Sequence, residues 1–327
     1  MSDNAKNEGQ YNPFEKMTFT YDKCFLCGEI LTDENSTEEH IYPKWLQNKF
    51  DLWDKQLILL NGTSINYRNL KIPCCKTCNN KMSETIEKPI QVAVAGGYDS
   101  FKNIDKNIIF LWLNKLSYGM LFKELSLDVN RRDITKGKIY SQEWLEEHKM
   151  QYMFLQSIIS ESEYNGQPFS LLLFKIKVLD DENYWAFDDP FNKTFFIRMN
   201  DIGIIAHLMD NKYNEDFFLQ LDHLKHLLHK ELHPIQFAEL CAKFYYKSSL
   251  FYRNPSYIMV MNEEGRPENI FSQGMSGYGY DDWGQKEYAK VLTYFLQPYG
   301  IEFDKIYSED EKVMSWLYNE DGDFIEL

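Results

Sequence analysis

The chain has 327 residues, 44% hydrophobic, 26% charged and 16% aromatic, a composition that excludes disorder, collagen and low-complexity sequence. The net charge of −15 argues against a protein that coats nucleic acid by bulk electrostatics, because that affinity comes from Lys and Arg releasing counterions from phosphate. The length exceeds the usual ~100 to 200 residues per domain and predicts two domains.

Residues 1–20 are polar and contain Gly9 and Pro13, so they read as a flexible arm. The arm has no apolar h-region and no window of 18 uncharged apolar residues follows it. The expectation is a cytoplasmic chain without signal peptide or membrane partner. A cysteine-rich block over 21–95 comes next. It ends at Ala95-Gly96-Gly97-Tyr98-Asp99-Ser100, where two glycines and a turn-forming Asp interrupt any regular period. The domain boundary is placed there, with a second domain over 100–327.

In that second part, 108–121 is apolar at three- and four-residue spacings, with Asn114, Lys115, Lys123 and Glu124 between or just after, and predicts a buried helix. A helix over 141–157 follows. Strands are predicted over 169–178, 184–187, 194–199 and 203–208, separated by Asn, Asp, Gly and Pro clusters, and they suggest an antiparallel meander. Helices are expected over 214–232 and 234–246, a strand over 257–261 and a last helix over 285–296. The fold class is α+β, a small block followed by a larger α+β body with an antiparallel sheet. The charge divides unevenly between them: residues 1–90 carry 11 Lys and Arg against 13 Asp and Glu, the remainder 24 against 37. The nearly neutral block is the better docking place for a polyanion.

Five of the six cysteines lie between residues 24 and 78. Cys24-Phe25-Leu26-Cys27 and Cys75-Lys76-Thr77-Cys78 are two CxxC pairs with 47 residues between them. Such pairs supply four thiolates at tetrahedral corners for a structural Zn²⁺, and Gly28 lets the knuckle backbone approach the metal. Cys74 is an alternative third ligand to Cys75.

Between the pairs stands Glu38-Glu39-His40-Ile41-Tyr42-Pro43-Lys44-Trp45-Leu46, with the only His of the first 147 residues; Arg68-Asn69-Leu70 precedes the second pair and Asn79-Asn80 follows it. An acid followed by His-Ile-x-Pro between two CxxC pairs, then Asn-Leu before the second pair and Asn after its last Cys, resembles the HNH endonuclease family. More narrowly, EHIYPKWL followed by CNN resembles bacterial HNH proteins, some associated with defence. The resemblance covers about a fifth of the chain.

It implies a zinc-stabilised treble-clef, ββα-metal fold that hydrolyses phosphodiesters in a DNA substrate. His40 would be the general base, and Glu39 and Asn79 would hold a catalytic Mg²⁺ or Mn²⁺ through oxygen. Asn69 would fix the loop. If a helix starts near Cys78, Asn79, Ser83 and Glu87 share a face, so Glu87 could reach the metal or hold Asn79. Lys44 and Arg68 are candidate phosphate contacts. The resemblance also implies a role in defence against phage or foreign DNA, with the larger domain as sensor, specificity or oligomerisation part and an activating protein partner or a homo-oligomer as its trigger. The alternative is a catalytically inactive, zinc-dependent module that binds nucleic acid or protein.

Elsewhere, His226, His229 and His233 could line one helical face, but the leucines between them describe a half-buried amphipathic helix better than a metal site. The Gly-rich 274–279 segment follows no clear strand and is not expected to cradle phosphate.

Overall fold

The computed structural model describes residues 11–16, 19–139, 142–160, 162–179, 183–252, 255–263, 267–273 and 279–327. Most of the predicted arm, and residues 274–278 of the Gly-rich segment, lie outside these. The described part of the arm is anchored. Helix α1 (Pro13–Lys16) places Phe14 in contact with the rings of Phe19, Tyr118 and Tyr152 and buries it, so aromatic burial outweighs the polar composition around it.

The cysteine block contains β1 (Ser36–His40), α2 (Lys44–Lys49), β2 (Gln56–Ile58), β3 (Ser64–Asn66), β4 (Lys71–Cys75) and α3 (Lys76–Met82). β1 and β4 pair antiparallel, with Thr37 opposite Cys74 and His40 opposite Lys71. β2 and β3 form a hairpin of their own, turned at Asn61-Gly62 where Gly62 takes a φ of 75°. α3 runs into a π turn (Ser83–Glu87) and then α4 (Lys88–Ala95).

After α5 (Gly97–Phe101) come α6 (Lys106–Leu125), α7 (Gln142–Ser160) and β5 (Glu163–Asn165). Asp105 caps α6 by accepting from the Asn107 amide at 2.8 Å. α6 is buried on nearly every side, including Asn114, Lys115 and Glu124.

The next strands are β6 (Ser170–Ile176), β7 (Tyr184–Asp189), β8 (Thr194–Met199) and β9 (Ile202–His207). Every residue of β8 and β9 is buried, as continuous apolar runs require. β7, β8 and β9 are successive hairpins, but β6 pairs with β9 rather than with β7, so the order β6-β9-β8-β7 departs from a simple meander.

The predicted 214–232 helix is broken into α8 (Tyr213–Gln220), α9 (Asp222–His226), a 3-10 turn and β10 (Glu231–Leu232), which joins β6 in parallel. His233 then caps α10 (Pro234–Ser249), its Nδ1 accepting from the Ile235 amide at 3.2 Å. The three histidines therefore share no helical face. β11 (Tyr257–Met261) pairs antiparallel with β12 (Pro267–Ser272), which pairs parallel with β5. α11 (Gln285–Leu296) and α12 (Phe303–Ile306) follow.

The chain is α+β with antiparallel sheets and divides into two compact units. One holds residues 1–95, 104–166 and 257–273; the other holds 96–103, 167–256 and 274–327. This partition differs from the predicted 21–95 and 100–327, because α6 and α7 pack with the cysteine block. Tyr152 Oη and Gln156 Nε2 of α7 both donate to the Leu26 carbonyl, at 2.8 and 2.6 Å. Glu124 of α6 accepts from the Leu60 amide. In the second unit the core is built from Leu172, Phe174, Phe196, Phe237, Leu240 and Leu292, which lie between the sheet, α10 and α11. Among the described residues no helix is long and apolar enough to cross a membrane.

Candidate metal centre and the buried lysine beside it

The Sγ atoms of Cys24, Cys27, Cys75 and Cys78 lie within 4.8 Å of one another. Gly28, at a φ of 76°, closes the first knuckle by donating to the Cys24 carbonyl at 2.9 Å. A Cβ at Gly28 would stand 2.3 Å from the Tyr11 ring, so both conformation and space call for glycine. Phe25 N donates to the Pro73 carbonyl at 2.8 Å and thereby ties this knuckle to β4. The second knuckle is the N-terminus of α3, where Cys75 Sγ accepts from the Cys78 amide at 3.5 Å. Four thiols so placed could hold a metal ion such as zinc. Cys74, the predicted alternate, is buried and outside that set. Successive strand residues face opposite sides, yet the Cys74 thiol still touches that of Cys24 without joining the four.

The same alternation separates Glu39 from His40 at the end of β1. Thr37 and Glu39 share a face, and Asn79 Nδ2 at the start of α3 donates to Thr37 Oγ1 at 2.8 Å. Both Glu39 and His40 are buried. Glu39 Oε1 meets Lys115 Nζ at 2.5 Å, and Glu87 Oε1 meets the same nitrogen at 2.9 Å. Lys115 also donates to the main-chain oxygens of His40 and Ile41, at 2.7 and 2.9 Å. Its side chain is fully buried. Burial opposes the ammonium, but the two carboxylates outweigh it and hold Lys115 above its ordinary range. Burial likewise pushes the Glu39 carboxyl up, with Lys115 pulling the other way and Glu87 adding to the rise.

Gly119, one turn along α6 from Lys115, completes this contact. A Cβ there would lie 3.0 Å from Ile41 Cγ2, so glycine is what allows α6 to approach the segment that follows His40.

The His40 ring packs against Trp53 with centroids 6.1 Å apart and planes 27° from parallel. Burial first, then the charges of Lys44 and Lys71, push its pKa down to about 4. The imidazole is therefore neutral at physiological pH and able to accept a proton. Lys44 is exposed. Arg68, the other candidate phosphate contact, is engaged with Asp54, so its charge is partly compensated.

Two assigned roles differ in the structure. Asn69 is exposed in a 3-10 turn (Tyr67–Asn69) and its side chain makes no hydrogen bond among the described residues. The loop is held instead by Asn66, whose Nδ2 donates to the Asp54 carbonyl at 3.1 Å. Glu87 does not hold Asn79. The π turn inserts an extra residue per turn between them and rotates Glu87 out of the i, i+4, i+8 row and onto Lys115.

The fit to a hard divalent ion is incomplete. Carboxylate and amide oxygens are the right chemistry, but one oxygen each of Glu39 and Glu87 is already bound to an ammonium whose charge opposes a second cation. Among the described residues, the four thiols are the only metal-ligand cluster of three or more His, Cys, Asp or Glu.

No family model, curated protein or solved structure matches the chain.

Proposed function

We propose that the first unit is an HNH-type endonuclease that hydrolyses DNA phosphodiesters, with His40 as general base. The observation that supports it is the order of parts: β1 ends on the Glu39-His40 pair, pairs with β4, and β4 enters α3 through the second thiol knuckle, with Asn79 tied back to β1. In the reaction a ring nitrogen of His40 takes a proton from water as its oxygen bonds to phosphorus. The P–O3′ bond breaks and the departing oxygen takes a proton from solvent. An imidazole at about 4 is a weak base, but an approaching phosphodiester anion stabilises its protonated form and raises it. Lys44 beside it supplies charge for phosphate, whereas the charge of Lys71 is partly compensated by Glu38. Mg²⁺ or Mn²⁺ belongs to this reading as the charge that would steady the leaving oxygen, and Asn79 is the donor left unencumbered by Lys115.

One observation favours the second reading, a zinc-stabilised binding module without catalysis. The Glu39 carboxylate already has its cation in Lys115.

Plasmid cleavage in Mg²⁺ or Mn²⁺ separates the two. The nuclease reading expects cutting by the wild type and a loss of about 10²-fold or more in His40→Ala. Cutting that survives the substitution would remove His40 from the mechanism. An inert wild type in both metals would favour the binding module.

A further inference from the structure

The second unit contains a cavity of about 220 Å³ walled by Phe217, Phe218, Leu221, Leu224, Phe244 and Trp283. Two lysines reach it from α10, and their situations differ. Lys243 Nζ is paired with Glu239 Oε1 at 2.7 Å and with Tyr288 Oη at 3.0 Å. Lys247 Nζ instead lies over two rings, 4.3 Å from the Phe217 centroid and 3.9 Å from that of Tyr280. It has no hydrogen bond or carboxylate partner among the described residues. Burial pushes it below its ordinary range. Ring faces attract an ammonium but do not neutralise it, so the cavity keeps one spare positive charge against apolar, flat walls.

We propose that this cavity binds a small, flat aromatic carboxylate, its ring held between the Phe and Trp walls and its anionic group on Lys247. The volume falls below the ~300 to 1,000 Å³ of ordinary ligand pockets, which limits the ligand to one or two fused rings. Flat walls select a planar body by burial and ring stacking, and a single uncompensated ammonium selects a single anionic group. A nucleotide fits less well. Asn214 at the cavity is already partly engaged, its Nδ2 donating to Asp210 at 2.9 Å and its Oδ1 accepting from Tyr280 Oη at 3.1 Å, and apart from the lysines only it and His223 offer polar groups to a ribose. This site stands independently of the nuclease reading.

Calorimetric titration of the full chain with 2-naphthoate, 2-naphthalenemethanol and adenosine monophosphate tests the proposal. Saturable one-to-one binding of naphthoate is expected, at least about tenfold tighter than the uncharged alcohol, and Lys247→Met should remove that difference while leaving the alcohol unchanged. Equal affinities for naphthoate and the alcohol on the wild type would overturn the proposal even if the variant failed to fold. So would tighter binding of the nucleotide, or no saturable binding of naphthoate at millimolar concentration.

Discussion

Lys115→Met is expected to be the most damaging single substitution in the first unit. It strips the paired cation from two carboxylates, of which Glu39 is buried, and takes a donor from the carbonyls of His40 and Ile41. Removing one partner of a buried ion pair costs about 3 to 5 kcal/mol, because the other charge stays desolvated. Glu39→Gln should be milder, since Lys115 keeps Glu87 and both carbonyls. Combining Lys115→Met with Glu39→Gln should recover part of the loss, as coupled neighbours do in a double-mutant cycle. Urea midpoints read all three. A Lys115→Met chain as stable as wild type would mean that the triad contributes little, and additive effects would mean that Glu39 and Lys115 act separately.

The second large effect concerns the four thiols. Purified protein should carry about one tightly held zinc per chain, measured by elemental analysis. Cys75→Ala should lose it and Cys74→Ala should keep it, because only the former belongs to the set within 4.8 Å. The two knuckles are also held by protein contacts, through Phe25 N to Pro73 and through the α7 side chains on Leu26. Metal loss should therefore lower the melting temperature rather than abolish folding. If zinc contributes even ~3 kcal/mol, the shift is roughly 6 to 12 °C for a unit of this size. Zinc retained by Cys75→Ala and lost by Cys74→Ala would reverse the assignment.

The thiol pairs were legible because CxxC spacing is a local pattern. So were β8, β9 and α11, whose apolar runs or periods lie within single stretches. The ribbon carrying Glu39 and His40 was not legible as a strand from its residues. Ser36-Thr37-Glu38-Glu39-His40 is short and polar, and Lys71-Ile72-Pro73-Cys74-Cys75 contains a proline. These segments are strands because they pair with each other, a contact between distant parts of the chain that no local propensity records.

Lys115 was legible in principle. A helix apolar around its whole circumference has no polar face to expose, so a lysine within it requires buried carboxylates. Which carboxylates depended on the π turn. The membership of α6 and α7 in the first unit rests on side chains such as Tyr152 and Gln156 meeting Leu26, 126 and 130 residues away.

The π turn also sets an unusual tolerance to length. Ser83–Glu87 carries one residue more than an α-helix uses for the same advance. Deleting the exposed Thr85 would therefore relax the segment into a continuous α-helix instead of breaking it, with everything from Glu87 onward keeping its direction relative to α3. The helix and the ion triad would both survive. A shortened chain that keeps its helix content and the pairing of Glu87 with Lys115 is the expected result.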